Sequence, residues 1–146
     1  WDHGHLNLAR KHLERARAQG GFGRFQLEAA IQAVHADRSN TGITDWDALV
    51  QLHLGLSRIA PTIGATIGYS AAVGKAIGPK EGLEALCAVD ETVRDTFAPA
   101  EATRAYLLSE LGQVHEAVAA YDKAIALTIE PPLRQYLRDK RAALRA

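Results

Sequence analysis

The 146-residue chain has no methionine and a single cysteine, Cys87. One cysteine excludes an internal disulfide framework and fits a reducing, cytoplasmic compartment. Cys87 stands among Leu83, Leu86 and Val89, which predicts a small buried core residue rather than a reactive thiol. An excess of one charge is also missing. Lys plus Arg and Asp plus Glu are 17 each, so no global field holds the chain on nucleic acid or an anionic membrane. The most apolar stretch, residues 61–77, is bracketed by Arg58 and Lys75 and interrupted by Pro61, Thr62, Thr66, Tyr69 and Ser70, which argues against a membrane span. There is no strand pattern, no nucleophile elbow, no convincing carboxylate pair and no metal-ligand spacing. These absences lead us to expect neither an enzyme nor a cofactor or metal requirement. A chain that starts at Trp1 without a methionine or a signal-peptide pattern is expected to be a piece of a longer protein.

What remains is the composition of one ordinary globular domain, 47% hydrophobic and 23% charged. The apolar spacing is helical throughout. Residues 1–19 predict a helix with Leu6, Ala9, Leu13 and Ala16 inward, followed by a glycine turn at Gly20, Gly21 and Gly23. Residues 25–36 carry the core stripe Leu27, Ala30, Ile31 and Val34, and residues 38–42 read as a polar loop. Thr44, Asp45 and Asp47 predict the capped start of a helix over residues 46–60. That helix is apolar almost all round (Leu49, Val50, Leu52, Leu54, Leu56, Ile59), so burial on both sides is expected. In residues 61–77, Gly64, Gly68 and Ala72 form a smooth ridge for close approach to a neighbour. Gly78-Pro79 starts a short helix with Leu83 and Leu86, and residues 90–97 read as a loop with one helical turn. Pro131 and Pro132 begin a terminal helix.

Residues 105–127 organise the rest. They read as two antiparallel helices joined at Gly112, with Ala105, Leu108 and Leu111 on one inner side and Val114, Ala117, Val118, Tyr121, Ala124 and Ile125 on the other. Such a hairpin cannot bury its apolar face alone and must stack on neighbours. The stretch resembles a tetratricopeptide repeat. The A-x3-F element falls on Ala117 and Tyr121, and the closing proline falls near Pro131. The W-x2-L-G-x2-Y half falls on Glu101, Arg104, Ala105 and Leu108, where only the small residue and one large apolar position survive. The expected fold is all-α, a TPR-like stack of antiparallel helical hairpins with about seven or eight helices over residues 1–146, most repeat-like at residues 100–130.

Candidate functional residues fall at the two ends. His3, His5 and His12 complete no recognisable ligand set and read as surface histidines. The G-G-F-G-R string follows a helix rather than a strand and lacks a closing Lys-Ser or Lys-Thr, so it reads as a turn and not a phosphate loop. Arg24, Gln26 and His35 fringe the FQLEAAIQAVHA helix outside its core stripe and are candidates for protein contact, with hydrogen bonding across a helix junction an equal alternative for Gln26 and His35. On the terminal helix, Arg134, Arg138, Arg141 and Arg145 share one face, with Lys140 nearby and Asp139 opposing. The Arg134, Arg138 and Arg141 face is a candidate dock for an acidic segment, although a solvated helix end is the plainer account of the stripe.

Three further stretches carry a broader resemblance. WDHGHL, GRFQLEAAIQAVHA and TDWDALVQLHLGLSRIAP, in this order, resemble the C-terminal extension of bacterial extracytoplasmic-function sigma factors with a TPR-like tail. Where that family usually shows Asn-Arg, this chain has Gly68-Tyr69, and His53 replaces a usual Tyr. The resemblance implies a regulatory or interaction domain in transcription initiation. Its partners would be the sigma regions upstream in the same chain, or RNA polymerase, with no specific DNA contact of its own. A free-standing TPR-like adaptor for a peptide or protein, and a small-ligand sensor in the helical groove, are the alternatives.

Overall fold

The computed structural model describes residue 11 and residues 23–145. Apart from residue 11, which is helical and exposed, the helix expected over residues 1–19, with His3, His5 and His12, lies outside the described residues, as do Gly20 and Gly21. Among the described residues there are eight helices and no strand. They are α1 (Arg24–Thr41), α2 (Trp46–Ile59), α3 (Ile63–Ala76), α4 (Pro79–Leu86), the single turn α5 (Glu91–Arg94), α6 (Ala98–Glu110), α7 (Val114–Leu127) and α8 (Pro131–Arg145).

Local chemistry accounts for most boundaries. Gly23 is the N-cap of α1, where the Gln26 Oε1 accepts from the Gly23 N–H at 2.9 Å. The polar segment after residue 36 continues the helix instead of forming a loop. The Ser39 and Thr41 hydroxyls donate back to the Ala36 and Asp37 carbonyls, and Gly42 ends the helix at φ 75°. Asp45 caps α2 by accepting from the Ala48 N–H at 3.0 Å, and Thr62 caps α3 by accepting from the Ala65 N–H at 3.1 Å. The turn between α6 and α7 is a Schellman motif around Gly112 at φ 78°. The Gln113 N–H donates to the Leu108 carbonyl and the Gly112 N–H to the Ser109 carbonyl.

Each helix packs chiefly on the next in the chain, and α6 also meets α3 and α4 across the short α5. The core accordingly forms three adjoining clusters, the arrangement expected when layers stack on neighbours. The first joins α1, α2 and α3 through Leu27, Ile31, Val34, Leu49, Leu52 and Ala72. The second is a bridge of Ile67, Leu86, Val89 and Ala100. The third joins α6, α7 and α8 through Ala105, Leu108, Ala117, Tyr121, Ile125 and Leu137.

Several inward assignments differ from the sequence expectation. Leu111 and Val114 flank the Gly112 turn and are 37% and 42% exposed, because the chain reverses there before the two helices pack. In α2, Leu49, Leu52 and Leu56 are buried, but Ile59 is 47% exposed, so burial is one-sided at its C-terminal end. Cys87 is exposed: α4 ends at Leu86, and Leu86 and Val89 take the core positions on either side of it. The close approach of α3 holds at Gly68, against His53 of α2, and at the buried Ala72, but not at Gly64. A Cβ on Gly64 would meet only the Thr62 hydroxyl, at 3.9 Å. A backbone-to-backbone crossing, of α3 with α4, is at Gly82 of α4, where a Cβ would lie 2.9 Å from the Gly74 Cα and 3.0 Å from the Ser70 carbonyl. At the same crossing the buried Ser70 hydroxyl donates to the Gly82 carbonyl at 2.7 Å.

Candidate functional site

The first polar groove lies between α1 and α2. Helical periodicity puts Arg24, Glu28, Ile31 and His35 on one face of α1, with Gln32 beside them. The groove holds about 450 Å³ and is lined by Glu28, Ala29, Ile31, Gln32, His53 and Leu56. His53 comes from α2 and reaches α3, where its ring fills the space that a Cβ on Gly68 would need, with Cε1 2.6 Å from that position. The two departures from the sigma-factor pattern, His53 and Gly68, are therefore one packing arrangement. Burial holds the His53 imidazole below its ordinary pKa, and His35 lowers it further by repulsion. A neutral ring carries one donor and one acceptor, and its Nδ1 is buried without a hydrogen-bond partner.

The three candidates on this helix do not act together. Arg24 pairs with Glu28 at 3.0 Å, on the groove side. Gln26 points away from that face and serves the N-cap. His35 is exposed and meets the Trp46 ring edge-on at 6.1 Å. Trp46 starts a cation–aromatic ladder that no sequence pattern announced. Lys75 of α3 sits 5.9 Å from the Trp46 centroid and 4.6 Å from that of Tyr106 in α6, whose hydroxyl accepts a hydrogen bond from its Nζ. The ladder links helices 31 residues apart at Lys75 and Tyr106, a separation no local periodicity can show.

The second set is on α8, at the other end of the stack. Arg141 is drawn back onto α7, where its Nη1 lies 2.6 Å from the Asp122 Oδ1. Arg134 is half-buried, and its Nε lacks a hydrogen-bond partner. Arg138 is exposed, and Arg145 lines a groove of about 520 Å³ with Val114, His115, Val118, Ala119 and Asp122.

The most unusual side chain is one that sequence reasoning passed over. Glu101 is fully buried, with the Arg104 Nη1 at 3.7 Å and the Arg94 Nε at 3.9 Å, yet neither carboxylate oxygen has a hydrogen-bond partner. The signal was its repeat position: Glu101 occupies the place of the repeat's tryptophan, which the hairpin turns inward. Burial pushes its carboxyl above the ordinary value, against the pull of Arg104, Lys123 and Arg94. The folded state thus holds this proton more tightly than the unfolded chain. The resulting stabilisation is complete below 4.5 and is lost as pH rises through the folded value. Melts of wild type and Glu101→Gln from about pH 4 to about pH 8 should show the wild type losing ground to the variant as pH rises. A difference that grows in favour of wild type would mean that the cations dominate.

These features define an all-α stack of antiparallel hairpins with polar groups along two of its grooves. Among the described residues, no helix is long and apolar enough to cross a membrane, and no group of three or more His, Cys, Asp or Glu could hold a metal ion. No family model matches the chain. Over 138 residues it is 30% identical to an uncharacterized protein of Rhizobium meliloti (strain 1021), in an alignment covering 94% of this chain and 32% of that protein. The chain therefore spans about a third of that relative's length. No solved structure matches it significantly.

Proposed function

We propose that the chain is a protein-interaction and regulatory domain, the C-terminal tail of an extracytoplasmic-function sigma factor, without catalytic activity of its own. The observation that carries this reading is the open α1–α2 groove, formed by the stretch with the most specific sigma-factor resemblance. There Glu28, Gln32 and the unpartnered His53 offer hydrogen bonds beside Ile31 and Leu56. A shallow surface mixing apolar floor and polar rim suits recognition of another protein. A relative that carries the matching segment as about a third of its length supports a unit working within a longer protein. Arg24 and His35 remain the contact candidates here, and Arg134, Arg138 and Arg141 those on α8.

The direct test is to mix the domain with the separately expressed upstream region of its reading frame, and with RNA polymerase. Association weakened by His35→Ala or Gln32→Ala supports the reading. No association with either removes it, and an upstream region without sigma helices makes the domain an adaptor instead. The isolated domain should not read promoter DNA. With balanced charge and one basic helix, only salt-sensitive non-specific association on the order of 10⁻⁴–10⁻⁶ M is expected. Nanomolar, sequence-dependent shifts in a gel assay would overturn this.

A further inference from the structure

The groove between α7 and α8 has a shape and a charge that together specify an occupant. In a stack of antiparallel hairpins, each helix is covered by the next. Here α8 packs on α7 through Leu137, and Leu144 packs against the same cluster. Between α7 and Arg145 of α8 lies the groove of about 520 Å³, with Val114, Val118 and Ala119 as an apolar floor. Val114 is 42% exposed, although it belongs to the apolar stripe of α7.

The rim is basic. Within Pro131–Arg145, Arg134, Arg138, Lys140, Arg141 and Arg145 are opposed by Asp139 alone. Asp139 accepts from Gln135, and the one acid on the groove rim, Asp122, is occupied by Arg141. Arg138 and Arg145 have no acidic partner among the described residues, and the Arg134 Nε is buried without an acceptor. Periodicity puts all four arginines on one flank of α8, the flank from which Arg141 reaches Asp122 and Arg145 enters the groove.

We propose that this groove takes one acidic amphipathic helix of a partner protein, seated along α7 and the arginine flank of α8. Its apolar side chains cover Val114 and Val118, and its carboxylates meet Arg138 and Arg145. The inference rests on the reading of the chain as a protein-interaction domain and names a partner chemistry for it. Nucleic acid fits less well, since a phosphate backbone offers nothing apolar to the floor.

The probe is a fluorescein-labelled peptide of about four helical turns, with Leu at helical core spacing and Glu elsewhere. Its control carries Lys at every Glu position. Fluorescence anisotropy with the full chain should show saturable binding of the acidic peptide only. The double variant Arg138→Glu, Arg145→Glu should weaken it about tenfold or more. The charge-matched variant Arg58→Glu, Lys80→Glu, whose residues are exposed on other helices, should not. Val118→Glu, aimed at the floor, should also abolish binding. Circular dichroism melts select the variants that remain folded, and amide shift changes at Val114 and Val118 in wild type report the site if a variant does not fold. Equal binding of both peptides, equal loss in the two double variants, no binding at all, or displacement by a single-stranded oligonucleotide of matching length would each overturn the proposal. The two readings fail separately. If sigma regions or polymerase bind the wild type and Arg138→Glu, Arg145→Glu alike while the peptide does not bind, only the groove assignment falls. If the peptide binds as described but neither sigma regions nor polymerase do, only the transcription reading falls.

Discussion

Tyr121→Ala is expected to destabilise the fold by about 3–5 kcal/mol, as truncation of a buried aromatic usually does. Tyr121 is 4% exposed at the centre of the α6–α7–α8 cluster, among Ala105, Leu108, Ala117, Ala124, Ile125 and Leu137. Four of its surroundings are alanines at zero exposure, Ala105, Ala117, Ala120 and Ala124. Small residues bring the backbones together around one large ring, and the four alanines are too short to refill its space. The cavity term should therefore be near its upper range. Tyr121→Phe keeps the ring and loses only the hydroxyl, which meets Ser109, so a loss of about 1 kcal/mol is expected. Urea unfolding followed by far-ultraviolet circular dichroism measures both. An alanine variant as stable as wild type would show that the ring does not hold the hairpin together.

The second large effect is at the α3–α4 crossing, and its sign can be set against a control. Gly82→Ala gains helix propensity of about 1 kcal/mol, but the new methyl meets backbone at 2.9 and 3.0 Å. Backbone cannot rotate away as a side chain can. Separating α3 from α4 would also stretch the buried bond from the Ser70 hydroxyl to the Gly82 carbonyl. Overpacking of this kind costs about 1–3 kcal/mol, and Gly82→Val should cost more, since the branched side chain adds volume at the same point. Gly64→Ala, in α3 itself, has only the Thr62 hydroxyl at 3.9 Å as a new neighbour and should stabilise by about 0.4–1 kcal/mol. Opposite shifts in melting temperature for the same substitution would establish where the helices touch. Stabilisation by Gly82→Ala would refute the close crossing.

The candidate sites were legible only in part. Arg24 and His35 are on the groove face of α1 as helical spacing allows, whereas Gln26, two residues from Arg24, is turned to the N-cap. The α8 arginines share the face that their spacing requires, yet the partner of Arg141 is Asp122, 19 residues earlier, which no pattern within α8 contains. As an acid in the first turn of α6, Glu101 suits a helix start. Its burial arises because the same turn is pressed between α5 and α7, with Arg94 and Arg104 closing over it.

The sequence alone determined the class of fold, the course of the helices from α1 to α8, the Gly112 reversal and the inward ring of Tyr121. Each depends on interactions within a few residues: the 3.6-residue period, side-chain caps, a left-handed glycine, a proline that can start a helix but not continue one. Only the tertiary structure decided that Gly82 rather than Gly64 makes the close crossing, that Cys87 faces outward, that His53 rests on Gly68, and that Lys75 ties Trp46 to Tyr106. The rotation of one helix against its neighbour is set by how their side chains interlock. Several rotations bury nearly the same apolar area, and the choice among them falls to contacts between residues that no local pattern relates.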